Sequence, residues 1–182
     1  MSKSIRSLFR PLHNKLVRHM AANGLMLFAN TQAMCTSFKA EILLGQHQLG
    51  TATLVSRTSL TAPTTDSLKA ALYFASATIN AATTAYTATG EATGTNYTAG
   101  GIAVTNATAP STSGTASIWT PSASLVYTNI SVTAFDTVLI YNSTQSNRAI
   151  SVHTFGSQTI VAGTFTLTMP VNAVGTALLG IN

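Results

Sequence analysis

The first 34 residues carry five cations (Lys3, Arg6, Arg10, Lys15 and Arg18) and no acid, whereas the remaining 148 hold four charges of each sign and sum to zero. This division limits what the chain can fold into. A body with so few charges cannot solvate itself with lysine and glutamate, so its outer surface has to be made of Ser, Thr and small residues. Charged residues are 7% of the whole and apolar residues 46%, against roughly 25% charged in ordinary soluble proteins. The apolar content excludes a disordered polyelectrolyte. A body of zero net charge lacks the self-repulsion that keeps monomers apart, and this composition suits a component packed against copies or partners. At 182 residues there is room for one β domain preceded by an arm.

Between Ile5 and Met20 the apolar residues Ile5, Leu8, Phe9, Leu12, Leu16 and Met20 recur at spacings of three and four, the signature of one helix face. Pro11 breaks this helix near Arg10 or starts it afresh. The cations lie mainly off the stripe. The expected docking residues are Lys3, Ile5, Arg6, Leu8, Phe9, Arg10, Leu12, Lys15, Leu16 and Arg18, facing either protein or nucleic acid. No membrane span is expected, because Asn23, Gly24, Asn30 and Gln32 interrupt the best apolar stretch. A secretion signal with a cut after Ala33 fits the pattern only loosely, since the basic region is long and amphipathic.

Ser37 is expected to cap a short helix from Phe38 to Leu44, stopped by Gly45. Residues 46 to 66, with eight Ser or Thr, read as a connection holding one strand at Ala52 to Val55. From Ser67 the period becomes two. Leu68, Ala70, Leu72 and Phe74 alternate with Lys69, Ala71 and Tyr73, predicting a strand with one strongly apolar face. Phe165, Leu167 and Met169 repeat the rhythm up to Pro170. Further strands are expected at Ile102 to Val104, Leu125 to Ile130, Thr137 to Tyr141, Ala149 to Phe155 and Ala177 to Ile181, with an exposed hairpin tip between Tyr141 and Arg148. The fold class is therefore mainly β: a single antiparallel β-sandwich or jelly-roll-like domain over residues 67 to 182, behind a basic arm (1 to 34) and a connecting segment (35 to 66). Tyr86-Thr87-Ala88-Thr89-Gly90 is echoed by Tyr97-Thr98-Ala99-Gly100-Gly101. The copies are expected to flank a loop, with the paired glycines turning the chain into the Ile102 strand.

Catalytic chemistry has little material. The acids are Glu41, Asp66, Glu91 and Asp136, and the histidines are His13, His19, His47 and His153. Ser151, His153 and Asp136 make a triad on paper only, because Ser151 and His153 are two apart on a strand with no nucleophile elbow. No pair of histidines has i,i+4 spacing, and no glycine-rich turn opens a helix for phosphate, so neither metal nor nucleotide cofactor is expected. Cys35 is expected to be a small buried hydrophobe and Trp119 a core residue. The chain is read as non-enzymatic.

Four segments taken in order, Met34-Cys35-Thr36-Ser37-Phe38-Lys39, Leu68-Lys69-Ala70-Ala71-Leu72-Tyr73, Tyr97-Thr98-Ala99-Gly100-Gly101 and Val138-Leu139-Ile140-Tyr141-Asn142-Ser143, resemble a group of small tailed-bacteriophage virion proteins. In such relatives the chain looks as if it begins near the position of Met34, so the basic arm is a departure. The resemblance implies a virion accessory protein without giving its place on the particle; the division of charge makes a capsid cement or decoration subunit the expected role. Its expected partners are the major capsid protein or other virion subunits, and further copies of itself. A collar, head-tail adaptor or tail-fibre component is the alternative within the virion. A secreted carbohydrate-binding or adhesion module is the alternative outside it.

Overall fold

The computed structural model describes residues 32–43, 47, 49, 65–105 and 109–181. The ten arm residues expected to dock, Lys3 through Arg18, lie outside the described residues, as do the strand expected at Ala52 to Val55 and the stop at Gly45. Within the described part the protein is mainly β, with antiparallel sheets. Nine strands occur: β1 (Gln32–Met34), β2 (Leu68–Phe74), β3 (Gly94–Thr95), β4 (Ile102–Val104), β5 (Ser111–Ser113), β6 (Ala116–Trp119), β7 (Leu125–Asn142), β8 (Arg148–Leu167) and β9 (Leu179–Ile181), with one helix, α1 (Thr36–Leu43). The larger sheet runs β1-β8-β7-β2-β4, with β3 also against β7; the smaller runs β5-β6-β9. A single apolar core joins them, from Phe38 of α1 through Leu72, Phe135, Leu139 and Ile150 to Trp119 and Leu179 of the smaller sheet.

The long hairpin β7–β8 is the frame. Four of the expected strands prove to be segments of these two, because what reads as spacer is bulged strand. The pairing passes from Tyr127↔Phe165 to Ile130↔Gly163, then Val132↔Ile160, Phe135↔Gln158 and Thr137↔Thr154, so extra residues alternate between the two strands. Asn129, Ala134 and Ala162 adopt positive φ of 53, 54 and 44° at these steps. Such geometry costs energy in non-glycine residues, and here outside partners hold it. Asn96 Nδ2 donates to the Asn129 carbonyl at 2.9 Å, the Ala75 N–H to the Ala134 carbonyl at 2.9 Å, and the Ala162 N–H to Ser131 Oγ at 2.9 Å. The kinks re-aim the side chains without leaving the freed backbone groups unpaired.

Strand β2 lies between β7 and β4, and it is buried on both faces rather than one. Its pairing with β4 ends at Ala70↔Ile102. Beyond that point a loop takes over the exposed edge: Ala92 N–H donates to the Leu72 carbonyl at 2.8 Å and Phe74 N–H to the Gly90 carbonyl at 3.0 Å. Gly101 makes the turn into β4 at φ 73°, and a Cβ there would sit 1.7 Å from the Ala70 carbonyl oxygen, so only glycine fits.

The helix starts two residues earlier than the capping pattern predicts. Ser37 lies inside α1 and its Oγ has no hydrogen-bond partner, while Thr36 N–H bonds the Ala81 carbonyl at 3.0 Å. A tertiary contact fixes this end in place of a side-chain cap. The hairpin tip turns through residues 143 to 147, but Asn142, expected to be exposed in it, ends β7 and is wholly buried; Trp119 lies in the core at 2% exposure, as expected.

Candidate functional site

Three of the four acids, Glu41, Asp66 and Glu91, are buried. A buried carboxylate is costly unless its oxygens are hydrogen-bonded, and two polar clusters meet that requirement.

The first cluster is built on Glu91, which bridges to Tyr73 on the open edge of β2. Its Oε2 accepts from the Tyr86 hydroxyl at 2.6 Å, and its Oε1 accepts from the Tyr97 hydroxyl at 2.8 Å and the Gly100 N–H at 2.6 Å. Tyr97 Oη in turn accepts the Leu72 N–H at 2.9 Å, replacing the strand partner that β4 no longer supplies. Tyr141 donates to the Gly100 carbonyl at 2.8 Å, Tyr127 to the Ala70 carbonyl at 2.8 Å and Tyr73 to the Thr87 carbonyl at 2.6 Å. The echoed Tyr-Thr-Ala segments thus have a shared purpose, since both of their tyrosines donate to the one carboxylate between them. Burial raises the phenol of Tyr73 to about 12 and raises those of Tyr86, Tyr97, Tyr127 and Tyr141 as well, with the Glu91 charge adding to each. All five therefore stay protonated donors at any ordinary pH.

The second cluster ties α1 to the hairpin tip. Arg148 Nη1 donates to Glu41 Oε1 at 2.6 Å, and His47 Nε2 lies 2.7 Å from Glu41 Oε2. Asn142 is wholly buried. Its Oδ1 accepts the Thr144 and Gln145 N–H groups at 3.1 and 3.0 Å, and its Nδ2 reaches Asp66 Oδ2 at 2.6 Å and His47 Nδ1 at 3.0 Å. The two backbone donors fix which end of the amide is oxygen, so Nδ2 can only donate. His47 Nδ1 must then accept, and the ring proton sits on Nε2, facing Glu41. Both ring nitrogens are engaged, and neither is left to act as a base. Asn142-Ser143-Thr144 has the spacing of a glycosylation acceptor, and the same bonds close that side chain to modification.

The paper triad comes only half together. His153 Nε2 lies 3.0 Å from Ser151 Oγ, but Asp136 accepts instead from Thr137 Oγ1 at 2.7 Å. Ser151 and His153 are buried, on the part of β8 that pairs with β1, and burial lowers the His153 ring to about 4. A buried ring held neutral, with no carboxylate bonded to it among the described residues, is a structural hydrogen-bonding group. Cys35 is fully buried, and desolvation together with the Glu41 charge raises its thiol to about 11, which makes it unreactive. No group of three metal-ligating side chains occurs among the described residues. No described helix is long and apolar enough to cross a membrane.

An apolar cavity of about 290 Å³ lies among Met34, Phe38, Ile42, Trp119, Leu179 and Ile181. Its polar neighbours are Ser117 and the fully engaged His47. It offers apolar burial and no reactive group. Neither polar cluster was legible from spacing: Glu41, His47, Asp66, Asn142 and Arg148 are scattered over more than a hundred positions, and the one available signal was the tyrosine echo around Glu91.

Comparison of the chain with known protein families, curated proteins and solved structures gives no match.

Proposed function

We propose that this chain is a non-catalytic structural subunit of a larger particle, of the virion class the phage resemblance implies, and that the division of charge makes it a cement or decoration protein whose β body is presented outward and whose basic segment, residues 1 to 34, docks on neighbouring subunits. The observation carrying this reading is the placement of charge. Glu41, Asp66 and Glu91 are buried and bonded to internal donors, and the exposed positions of β7 and β8 carry Thr, Ser, Ala, Val and Asn. Such an exterior neither repels copies of itself nor gathers an ionic substrate. The internal acids act as ties holding loops to the sheet.

The test is deletion of residues 1 to 33, with incorporation into particles quantified beside the full chain. The reading expects a truncated protein with unchanged β content that is lost from the particle. Normal occupancy without the segment refutes it. Copy number then fixes the place: hundreds per particle for shell decoration, about three to a dozen for a neck or tail component.

A further inference from the structure

The His47 ring is buried and gripped from both sides by groups that fix where its proton sits. Nε2 meets Glu41 Oε2 at 2.7 Å, and Nδ1 meets Asn142 Nδ2 at 3.0 Å. Asn142 has no freedom to turn its amide over. Its oxygen accepts the Thr144 and Gln145 N–H groups, and its nitrogen also donates to Asp66 Oδ2 at 2.6 Å. A flip would set the amide nitrogen against two backbone donors and the amide oxygen against a carboxylate, exchanging these bonds for repulsive contacts. The bond to His47 therefore exists only while Nδ1 is a bare acceptor.

The charges around the ring pull the other way. Glu41 touches it directly and Asp66 stands one amide away, while Arg148, bonded to Glu41 at 2.6 Å, is the cation of the group. With the ring neutral, two carboxylates face one guanidinium, and a proton on the ring balances them. Cys35, close enough to Glu41 to feel its charge, is held as the neutral thiol. Strands β6 and β9, which share the apolar cavity with the ring, carry no titratable side chain, and the Phe38 ring meets it edge-on at 4.7 Å. The local field therefore favours protonation. The nitrogen that can take the proton is the one facing Asn142.

We infer that His47 is a proton-operated latch between the segment after α1 and the hairpin tip. With the ring neutral the latch is closed, and Asn142 donates to Nδ1. Uptake of a proton sets N–H against N–H, so the ring keeps its charge-assisted bond to Glu41 and swings off Asn142. Arg148 and Glu41 still join the tip to α1, so the contact at residue 47 opens and the sheet does not. Histidine is the side chain that ordinarily changes charge between about pH 5 and 8, which makes mild acid the opening signal and neutral pH the closing one. The latch lies within the chain's own fold and does not depend on what the chain docks to.

The test is nitrogen NMR of the full chain, following the His47 ring and the Asn142 side-chain amide from about pH 8 to about pH 5. His153 does not titrate in this window, because burial holds its ring neutral down to about 4. At the upper end His47 is expected to carry its proton on Nε2 alone. As Nδ1 gains a proton, the Asn142 amide protons are expected to shift with the same midpoint and to exchange with water about tenfold faster or more. His47→Gln supplies a group that accepts and donates without titrating, and its Asn142 amide is expected to stay constant over the same range. A proton on Nδ1 at the upper end, a ring that stays neutral until the chain unfolds, or a protonated ring beside an unchanged Asn142 amide overturns the inference. So does an Asn142 amide that answers equally to pH in His47→Gln. The joint titration within the parent chain decides the matter even where the variant does not fold.

Discussion

Removing the Glu91 carboxylate tests whether the tyrosine cluster is what holds the loop from Ala75 to Gly101 onto β2. Glu91→Ala leaves three donors without their acceptor: the buried Gly100 N–H, the Tyr97 hydroxyl and the Tyr86 hydroxyl. A hydrogen bond to a charged group contributes about 1.5–3 kcal/mol and an orphaned buried donor costs about 1–3 kcal/mol. The two tyrosines are half-buried and can find water, and losing a buried charge returns part of its desolvation cost. The net loss is therefore about 3–5 kcal/mol rather than the full sum. Glu91→Gln behaves differently. Its oxygen can still accept from Gly100 and Tyr97, and its amide can donate to Tyr86 if that hydroxyl turns its proton outward, so about 1 kcal/mol is lost. Urea unfolding of both variants against the parent measures this. Hydrogen exchange at Ala92 and Phe74, whose N–H groups bond across the loop–β2 seam, should quicken in Glu91→Ala and stay nearly unchanged in Glu91→Gln. Equal losses in the two variants, or a loss below about 1 kcal/mol in Glu91→Ala, would refute the claim that this acid is an internal tie.

Burial holds His153 neutral down to about pH 4 in the folded chain, while the unfolded chain takes up the proton near 6.5. The contribution is therefore fully present above about pH 6.5 and is lost as pH falls toward 4, by at most about 3 kcal/mol. His153→Asn should flatten that part of the stability profile relative to the parent, and parallel profiles would count against it. Gly101→Ala drives a Cβ into the Ala70 carbonyl and should cost about 3 kcal/mol or more. Gly114→Ala, also at positive φ but with nothing within 4 Å, should cost only about 1 kcal/mol; thermal melts rank the two. Tyr127→Phe removes a buried bond to the Ala70 carbonyl and should lower stability by about 1–2 kcal/mol in urea unfolding, with no change in β content.

Strand β2 was legible because a period of two survives wherever a strand is regular, and Leu68 to Phe74 has that rhythm across seven residues. What the rhythm did not convey is that its second face is also covered, since the covering loop is tied down by tyrosines and a glutamate that carry no periodicity. The hairpin β7–β8 shows the opposite case. Each bulge resets the alternation, so one continuous strand reads as two with a spacer: Ala134 and Ala162, both at positive φ, fall in the gaps between expected strands, while Asn129, also at positive φ, gave no such sign within Leu125 to Ile130. Short strands such as β1 and β5 rest on pairing with distant partners rather than on their own three residues. The helix start was misplaced for a related reason, as a contact with Ala81 took the place of a cap. For the candidate clusters, the echo of Tyr86 and Tyr97 gave one acid its setting, whereas Asn142 joins residues 47 and 66 only through the fold.

The central claim is that this chain is built to be part of something larger, and a density map of the intact particle tests it most directly. The account predicts the β body in ordered contact with neighbouring subunits, with residues 1 to 34 pressed against them. A particle lacking the chain, or one in which that segment touches nothing, contradicts it.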